Sequence, residues 1–379
     1  MLRASMLLLI FTTHTFAQSD WQTLGVRDKL PVFYEAMRDR LDFPLAWSKQ
    51  HDKSFDAWRK EAQAQVRASW LSEIPIRPLL PDIITSREFE GYTSHKIAFN
   101  ASADSRVLAY LLVPNGEGPF PAVLLLHDHG AEFRIGKEKM VRPWDDTKEK
   151  IELAEKWVTT SFGGRYIGEE LVRRGYVCLA TDALNWSDRG GGGYENQQAL
   201  ASNLMQLGIS YAGLISQEDL QAAELLAQRP EVDAKRIAVL GFSMGSNRAW
   251  HLAAMSDHIA AGLCICSMAS LPELMAPGIN ITQGQSSFTM LHPGLSRFLD
   301  TPDIASIACP KPMLFYNGSQ DKIYPTPAVE TAFQKMRAVW KSQNAVDKLE
   351  TKLWDVPHVF NVEMQEAAFN WLDRQFNNP

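Results

Sequence analysis

Two periods of apolar residues divide the chain. From Asp20 to about Ile76 the spacing is helical: Phe55, Trp58, Ala62, Val66 and Trp70 recur at three- and four-residue steps, on one helix face that must pack on something. The proline-rich IPIRPLLPD closes this arm. Past Arg87 the pattern becomes that of strands. HKIAFN and RVLAYLLVP flank the turn-like ASADS and predict a hairpin. The apolar runs AVLLLH, YVCLATD, RIAVLGFS and GLCICS follow, and PMLFYNG comes later. Between them RYIGEELVRRG, EDLQAAELLAQRP and NRAWHLAAM read as helices. Strands without polar alternation, separated by helices, predict a mostly parallel sheet covered on both faces. The fold class is therefore α/β, a doubly wound sheet entered through an antiparallel hairpin, with its active site at the strands' C-terminal ends.

The N-terminus, MLRASMLLLIFTTHTFA, has one cation at Arg3, an apolar run through Phe11 and a small residue at Ala17. That is the pattern of a cleaved signal peptide. Thr12, Thr13 and His14 interrupt the run well short of the ~20 apolar residues a span needs. No stable membrane insertion is expected, and the protein is expected to be exported to the periplasm or secreted. The organisation is then a signal peptide over 1–17, a helical arm over 18–86 and a catalytic domain over 87–379. A net charge of −6 offers no electrostatic footprint for nucleic acid. Cys178, Cys264, Cys266 and Cys309 lie in or beside apolar runs and read as free, buried thiols. The Cys264, Cys266 spacing fits neither a zinc pair nor a redox pair.

Chemistry concentrates in RIAVLGFSMGSNRAW, where Gly241-Phe242-Ser243-Met244-Gly245 follows an apolar strand and opens a helical stretch. That context is what a nucleophile elbow requires. Its glycines let strand and helix approach closely, and the helix N-terminus faces the place where an oxyanion would form. A serine hydroxyl needs a base, and the base needs an orienting acid. Asp321 follows the run PMLFYNG, and His358 follows the last short strand in LWDVPHVFN, giving the order Ser, acid, His expected of such a sheet. Asp321 also suits a simple turn before Lys322, and Glu273 in SMASLPEL is the rival acid. The other histidines compete less: His14 leaves with the signal peptide, His51 lies in the arm, His95 in the hairpin, His251 and His258 in or near the elbow helix, and His292 in a surface segment.

Gly241–Gly245, Asp321 and His358 resemble the catalytic triad of the α/β-hydrolase superfamily. Within it, LLHDHGAEF, GFSMGSNRAW and YNGSQDKIYP resemble the dienelactone-hydrolase-like and acetyl-xylan-esterase-like branch of exported bacterial esterases, from about Arg87 to Phe376. Dienelactone hydrolases proper carry a cysteine nucleophile where Ser243 stands. The resemblance implies a serine carboxylesterase working through an acyl-enzyme without a cofactor, on a small-molecule or oligosaccharide ester. The oxyanion would be held by the amide of Met244 and one from the corner near His129 and Gly130. A prolyl-oligopeptidase-like peptidase and a non-catalytic glycan-binding protein are the rival classes. No β-propeller repeat precedes the domain, and a binding module has no use for all three triad residues.

Two long segments leave strand ends on the active-site side, Phe133 to Thr160 and Leu184 to Leu207. They make Trp144, Trp157, Trp186 and Tyr194 candidates to stack on a sugar ring, and Arg134, with Lys137, Lys139 and Arg142, a candidate partner for a uronate carboxylate. Buried packing and a solvated charged face are the ordinary meanings of those residues. His127 and His129 bracket Asp128 as metal ligands do, but no step of the chemistry asks for an ion, so no metal is expected.

Overall fold

The computed structural model describes residues 25–27, 29–279, 281 and 284–376. The expected signal peptide lies outside the described residues. No helix among the described residues is long and apolar enough to cross a membrane.

Nine strands form one sheet: β1 (Asp82–Phe89), β2 (Tyr92–Asn100), β3 (Arg106–Pro114), β4 (Phe120–Leu126), β5 (Val177–Thr181), β6 (Val232–Phe242), β7 (Ala261–Ile265), β8 (Met313–Gly318) and β9 (Leu349–Trp354). Their order is β9-β8-β7-β6-β4-β5-β3-β2-β1. Strands β4 to β9 pair in parallel, while β1, β2 and β3 are antiparallel and join the rest through β3 and β5. The runs read as unalternating are buried along their whole length in β5, β7 and β8, because helices cover both faces. The expected hairpin is β2 and β3, and the structure adds β1 before it. DIITSREF shows no apolar run because β1 is an exposed edge strand, and it crosses the expected boundary between Ser86 and Arg87.

The arm has a definite job. Helix Phe55–Ala68 starts on Ser54, whose side chain accepts from the Ala57 amide, and it buries Trp58, Ala62 and Val66 against the main core. Gln63 Nε2 reaches across to the Ala254 carbonyl at 2.9 Å, near the end of the helix Met244–Met255. Lys311 Nζ takes the Ala253 and Ser256 carbonyls there at 2.9 and 2.7 Å. Arm and body thus satisfy the carbonyls that the C-terminal turn of the elbow helix leaves open.

The Trp58 indole is fully buried and donates to the Leu45 carbonyl at 2.6 Å. Trp58→Ala is expected to cost about 3–5 kcal/mol through the cavity it leaves. A urea titration followed by circular dichroism checks this; an unmoved midpoint would mean that the arm does not brace the body.

Candidate active site

The elbow is built by backbone crowding. A Cβ on Gly241 would lie 2.0 Å from the Gly245 oxygen, and one on Gly245 would lie 1.9 Å from the oxygen of Leu126 in β4. Only hydrogens fit there. Between them Ser243 sits at φ 54°, ψ −119°, a conformation L-residues rarely adopt, held by its amide bonding Ile265 O of β7 at 2.8 Å. The side chain thereby stands clear of the sheet at the N-terminus of the helix Met244–Met255.

The loops after β8 and β9 supply the other two groups. Asp321 is buried, and its Oδ1 accepts from the amides of Ile323 and Tyr324 at 2.8 and 3.3 Å. That fixes Oδ2 towards His358 Nδ1, 2.6 Å away, while His358 Nε2 lies 2.9 Å from Ser243 Oγ. With the carboxylate accepting at Nδ1, the proton sits there and Nε2 is free to accept from the serine hydroxyl. Ser243, His358 and Asp321 therefore form one hydrogen-bonded chain. Glu273 lies on the short helix Leu271–Leu274 and does not bond the imidazole, which already has Asp321.

The corner after β4 faces the serine across a cavity of about 260 Å³, lined in part by Asp128, His129, Gly130, Trp157, Tyr194 and Met244. Behind it Lys139 is completely buried, and its Nζ donates to the carbonyls of Asp128 and His129 at 3.1 and 2.9 Å. His127 Nδ1 and Trp186 Nε1 bond the same two carbonyls at 2.8 and 3.2 Å. In trans peptides the N–H points opposite to the C=O, so drawing both oxygens to one side turns the amides of His129 and Gly130 to the other.

Both histidines of this stretch are spoken for. His127 Nε2 accepts from the Ala183 amide at 3.0 Å while Nδ1 donates to Asp128 O. His129 Nδ1 accepts from the Ala131 amide at 3.1 Å, leaving Nε2 to donate to Gln197 Oε1 at 2.7 Å. Burial lowers both, His129 to about 4, so each ring is neutral with its one lone pair already used. Neither can ligate an ion without breaking such a bond. The carboxylates of Glu138, Asp182 and Asp188 also cluster at metal-binding distance. Lys137 Nζ stands among them at 2.7, 2.7 and 2.6 Å and takes the place of a cation.

Three substrate-binding expectations need correction. Trp186 is fully buried, packed on Phe133 and holding His129 O from behind, so it offers no face to a ligand. Arg134 is surface-exposed and already paired with Glu132 and Glu149 at 2.8 and 2.9 Å, a solvated cluster outside the cavity wall. Trp144 bonds Ser94 Oγ at 2.8 Å and packs on Tyr110, also away from the cavity. Of the aromatic candidates, Trp157 and Tyr194 line it. Lys139, read from the sequence as a candidate uronate partner or part of a solvated face, instead lies buried behind the corner, and sequence reasoning missed Met290 and Tyr324, which also line the cavity.

A serine at a strained strand-to-helix turn, with acid and imidazole from later strand ends of this sheet, defines the α/β-hydrolase class. The chain belongs to the Abhydrolase family, whose model it matches over residues 11–339. It is 27% identical over 281 residues to a Bacillus subtilis (strain 168) protein named putative hydrolase YtaP, covering 73% of this chain and 86% of the relative. Among solved structures it resembles a putative acetyl xylan esterase from Bacteroides fragilis NCTC 9343, with TM-score 0.69, 18% identity, and 85% of this chain and 81% of that one covered. It also resembles a glucuronoyl esterase from Solibacter usitatus, with TM-score 0.61, 12% identity, and 87% and 96% covered. At these identities the likeness is one of fold.

The geometry separates the two candidate acids. Asp321→Asn is expected to lower kcat by about 10⁴-fold by spoiling the imidazole's tautomer, whereas Glu273→Gln stays near the wild-type rate. Steady-state kinetics on a chromogenic ester checks both, and a loss confined to Glu273→Gln would reverse the assignment.

Proposed function

We propose that this chain is a serine ester hydrolase acting on esters of carbohydrates. The observation that carries the reading is the unbroken chain from Ser243 Oγ through His358 to Asp321, with Ser243 Oγ at 2.9 Å from the base. In this reading Ser243 Oγ attacks the ester carbonyl as His358 Nε2 takes its proton, and the C–O bond to the alcohol breaks as that proton passes to the departing oxygen. Water, deprotonated by the same imidazole, then cleaves the acyl-enzyme to the free acid and serine. Asp321 remains ionised throughout and steadies the imidazolium.

The amide of Met244 opens the elbow helix, where no intrahelical acceptor exists, and those of His129 or Gly130 are turned outward by Lys139. We assign these as the oxyanion donors. The acid, the base and the donors complete a hydrolytic site from side chains and backbone alone. Carbohydrate esters are supported by the indole of Trp157 and the phenol ring of Tyr194 beside the serine, two flat faces suited to a sugar ring. The fold neighbours named acetyl xylan esterase and glucuronoyl esterase agree with that choice. Export follows from the N-terminal leader pattern, with its single cation and short apolar run.

Wild type and Ser243→Ala are to be compared on p-nitrophenyl acetate, acetylated xylo-oligosaccharides and methyl glucuronate esters. Turnover by the wild type and a loss of about 10⁴-fold or more in the variant are expected; an inactive wild type, or an equally active variant, overturns the reading.

Lys139 acts as a positioning residue. Lys139→Met is expected to lower kcat by about 10²-fold, the usual effect of losing one oxyanion donor, with KM little changed. A rise in KM at constant kcat would show instead that the corner only shapes the binding wall.

A further inference from the structure

We infer that a second cavity, sharing a wall with the catalytic one, receives a flat, uncharged acyl arm ending in a hydroxyl, of the hydroxycinnamoyl class. This deepens the ester-hydrolase reading and rests on it. The cavity, partly open to solvent, measures about 270 Å³, and Met290 and Tyr324 line both it and the catalytic cavity. Tyr324 Oη and Met290 Sδ stand 3.9 Å apart in that shared wall. A thioether has no branch and three rotatable bonds, so the wall can be displaced by small rotamer changes.

The lining selects chemistry. Among the described residues it contains no Asp, Glu, Lys or Arg, and Trp250, Leu271, Leu274, Leu299 and Ile304 supply most of its surface character. A pyranose, with hydroxyls all round, would set most of them against these apolar side chains. Uncharged polar side chains, among them Asn247, Ser267 and Thr301, interrupt this lining, and two of its buried atoms have no partner, the donor Trp250 Nε1 and His251 Nε2. His251 is 3% exposed and its Nε2 has no hydrogen-bond partner, while the ring also bonds the Asn247 backbone. Burial, assisted by His292, keeps His251 neutral. A neutral ring whose Nδ1–H serves the carbonyl one turn back presents Nε2 as an acceptor only. The fitting ligand atom is thus a hydroxyl donor. The ring is also clamped in a stack, 4.4 Å from Trp250 and 4.2 Å from His292, so its lone pair holds a fixed direction.

Size and reach agree with an aromatic acyl group. An apolar cavity of about 150 Å³ holds benzene, so 270 Å³ takes one ring with a short linker. Ser243 and His251 lie eight residues apart along the elbow and its helix, about 12 Å at the ordinary helical rise. That is the reach of an ester carbonyl, a two-carbon linker, a ring and a terminal hydroxyl bond. The sugar alcohol would stay in the outer cavity with Trp157 and Tyr194.

The test compares kcat/KM for methyl 4-hydroxycinnamate, methyl 4-methoxycinnamate, 4-hydroxybenzyl acetate and p-nitrophenyl acetate in wild type, His251→Phe and Leu274→Trp, with thermal melts to establish folding. The wild type is expected to prefer the hydroxylated cinnamate to its methyl ether by about tenfold or more. His251→Phe brings that ratio near one, and Leu274→Trp lowers both cinnamates about tenfold relative to acetate. Competitive inhibition of wild-type acetate hydrolysis by free 4-hydroxycinnamate against 4-methoxycinnamate reads the same preference without any substitution, should a variant fail to fold. An equal ratio in wild type and His251→Phe, equal inhibition by the two acids, or a hydroxyl preference confined to 4-hydroxybenzyl acetate overturns the proposal. A wild type that turns over no ester at all overturns the ester-hydrolase reading beneath it; acetate turnover without discrimination removes only the pocket.

Discussion

Everything in the catalytic half hangs on backbone packed against backbone where β4, β6 and the elbow helix meet. The Gly245 Cα lies so close to the end of β4 that a methyl group there would overlap the Leu126 oxygen. That contact sets how far the helix N-terminus stands from the corner after β4, and so how far Ser243 stands from the amides around Gly130. The strained turn at Ser243 costs about 1–3 kcal/mol and persists because strands on both sides of β6 leave the chain no other course. The β7 carbonyl that holds the Ser243 amide completes the constraint.

Electrostatics then decides what the corner can do. Polar groups are buried behind it in unusual density, with Lys137, Glu138 and Lys139 all at zero exposure. Removing one partner of such a pair typically costs about 3–5 kcal/mol, although the pair itself adds little net stability. Their value is therefore geometric. Lys137 ties the corner segment to Asp182 after β5 and to Asp188 in the following loop, while Lys139 holds the carbonyls of two residues that line the serine's cavity. His127 and Trp186 bond the same oxygens, so the corner is fixed from three directions before any ligand arrives.

The sequence was most informative where function depends on local backbone geometry. Gly241 to Gly245 announces its turn because glycines there are a steric necessity, and the order Ser243, Asp321, His358 follows from the progression of parallel strands. Side-chain direction is another matter. Trp157 lies on the helix Lys148–Phe162 and Trp186 in the loop after β5, and only tertiary packing turns one onto the cavity and the other inward behind the corner. The run containing Lys137 and Lys139 carries the charges of a solvent face, yet the carboxylates that bury it come from Asp182 and Asp188, far along the chain. Strand β1 was invisible because an edge strand needs no apolar run. His251 looked like an ordinary helix residue, and its unpartnered ring nitrogen follows from tertiary packing alone.

The two cavities divide the substrate by polarity. Beside Ser243 stand aromatic faces, a carboxylate and exposed backbone, surroundings in which a hydroxylated ring can keep its hydrogen bonds. Beyond Met290 and Tyr324 the walls are apolar apart from a few uncharged groups. An ester joining a sugar to a flat acyl group has the same asymmetry, and its carbonyl must lie where the halves meet. The elbow helix spans that division, carrying Ser243 at one end and His251 two turns further on. One rigid element thereby sets both the attacking oxygen and the depth at which an acyl arm would end. The arm helix, by bonding Ala254 at the far end of that helix, holds the same ruler in place.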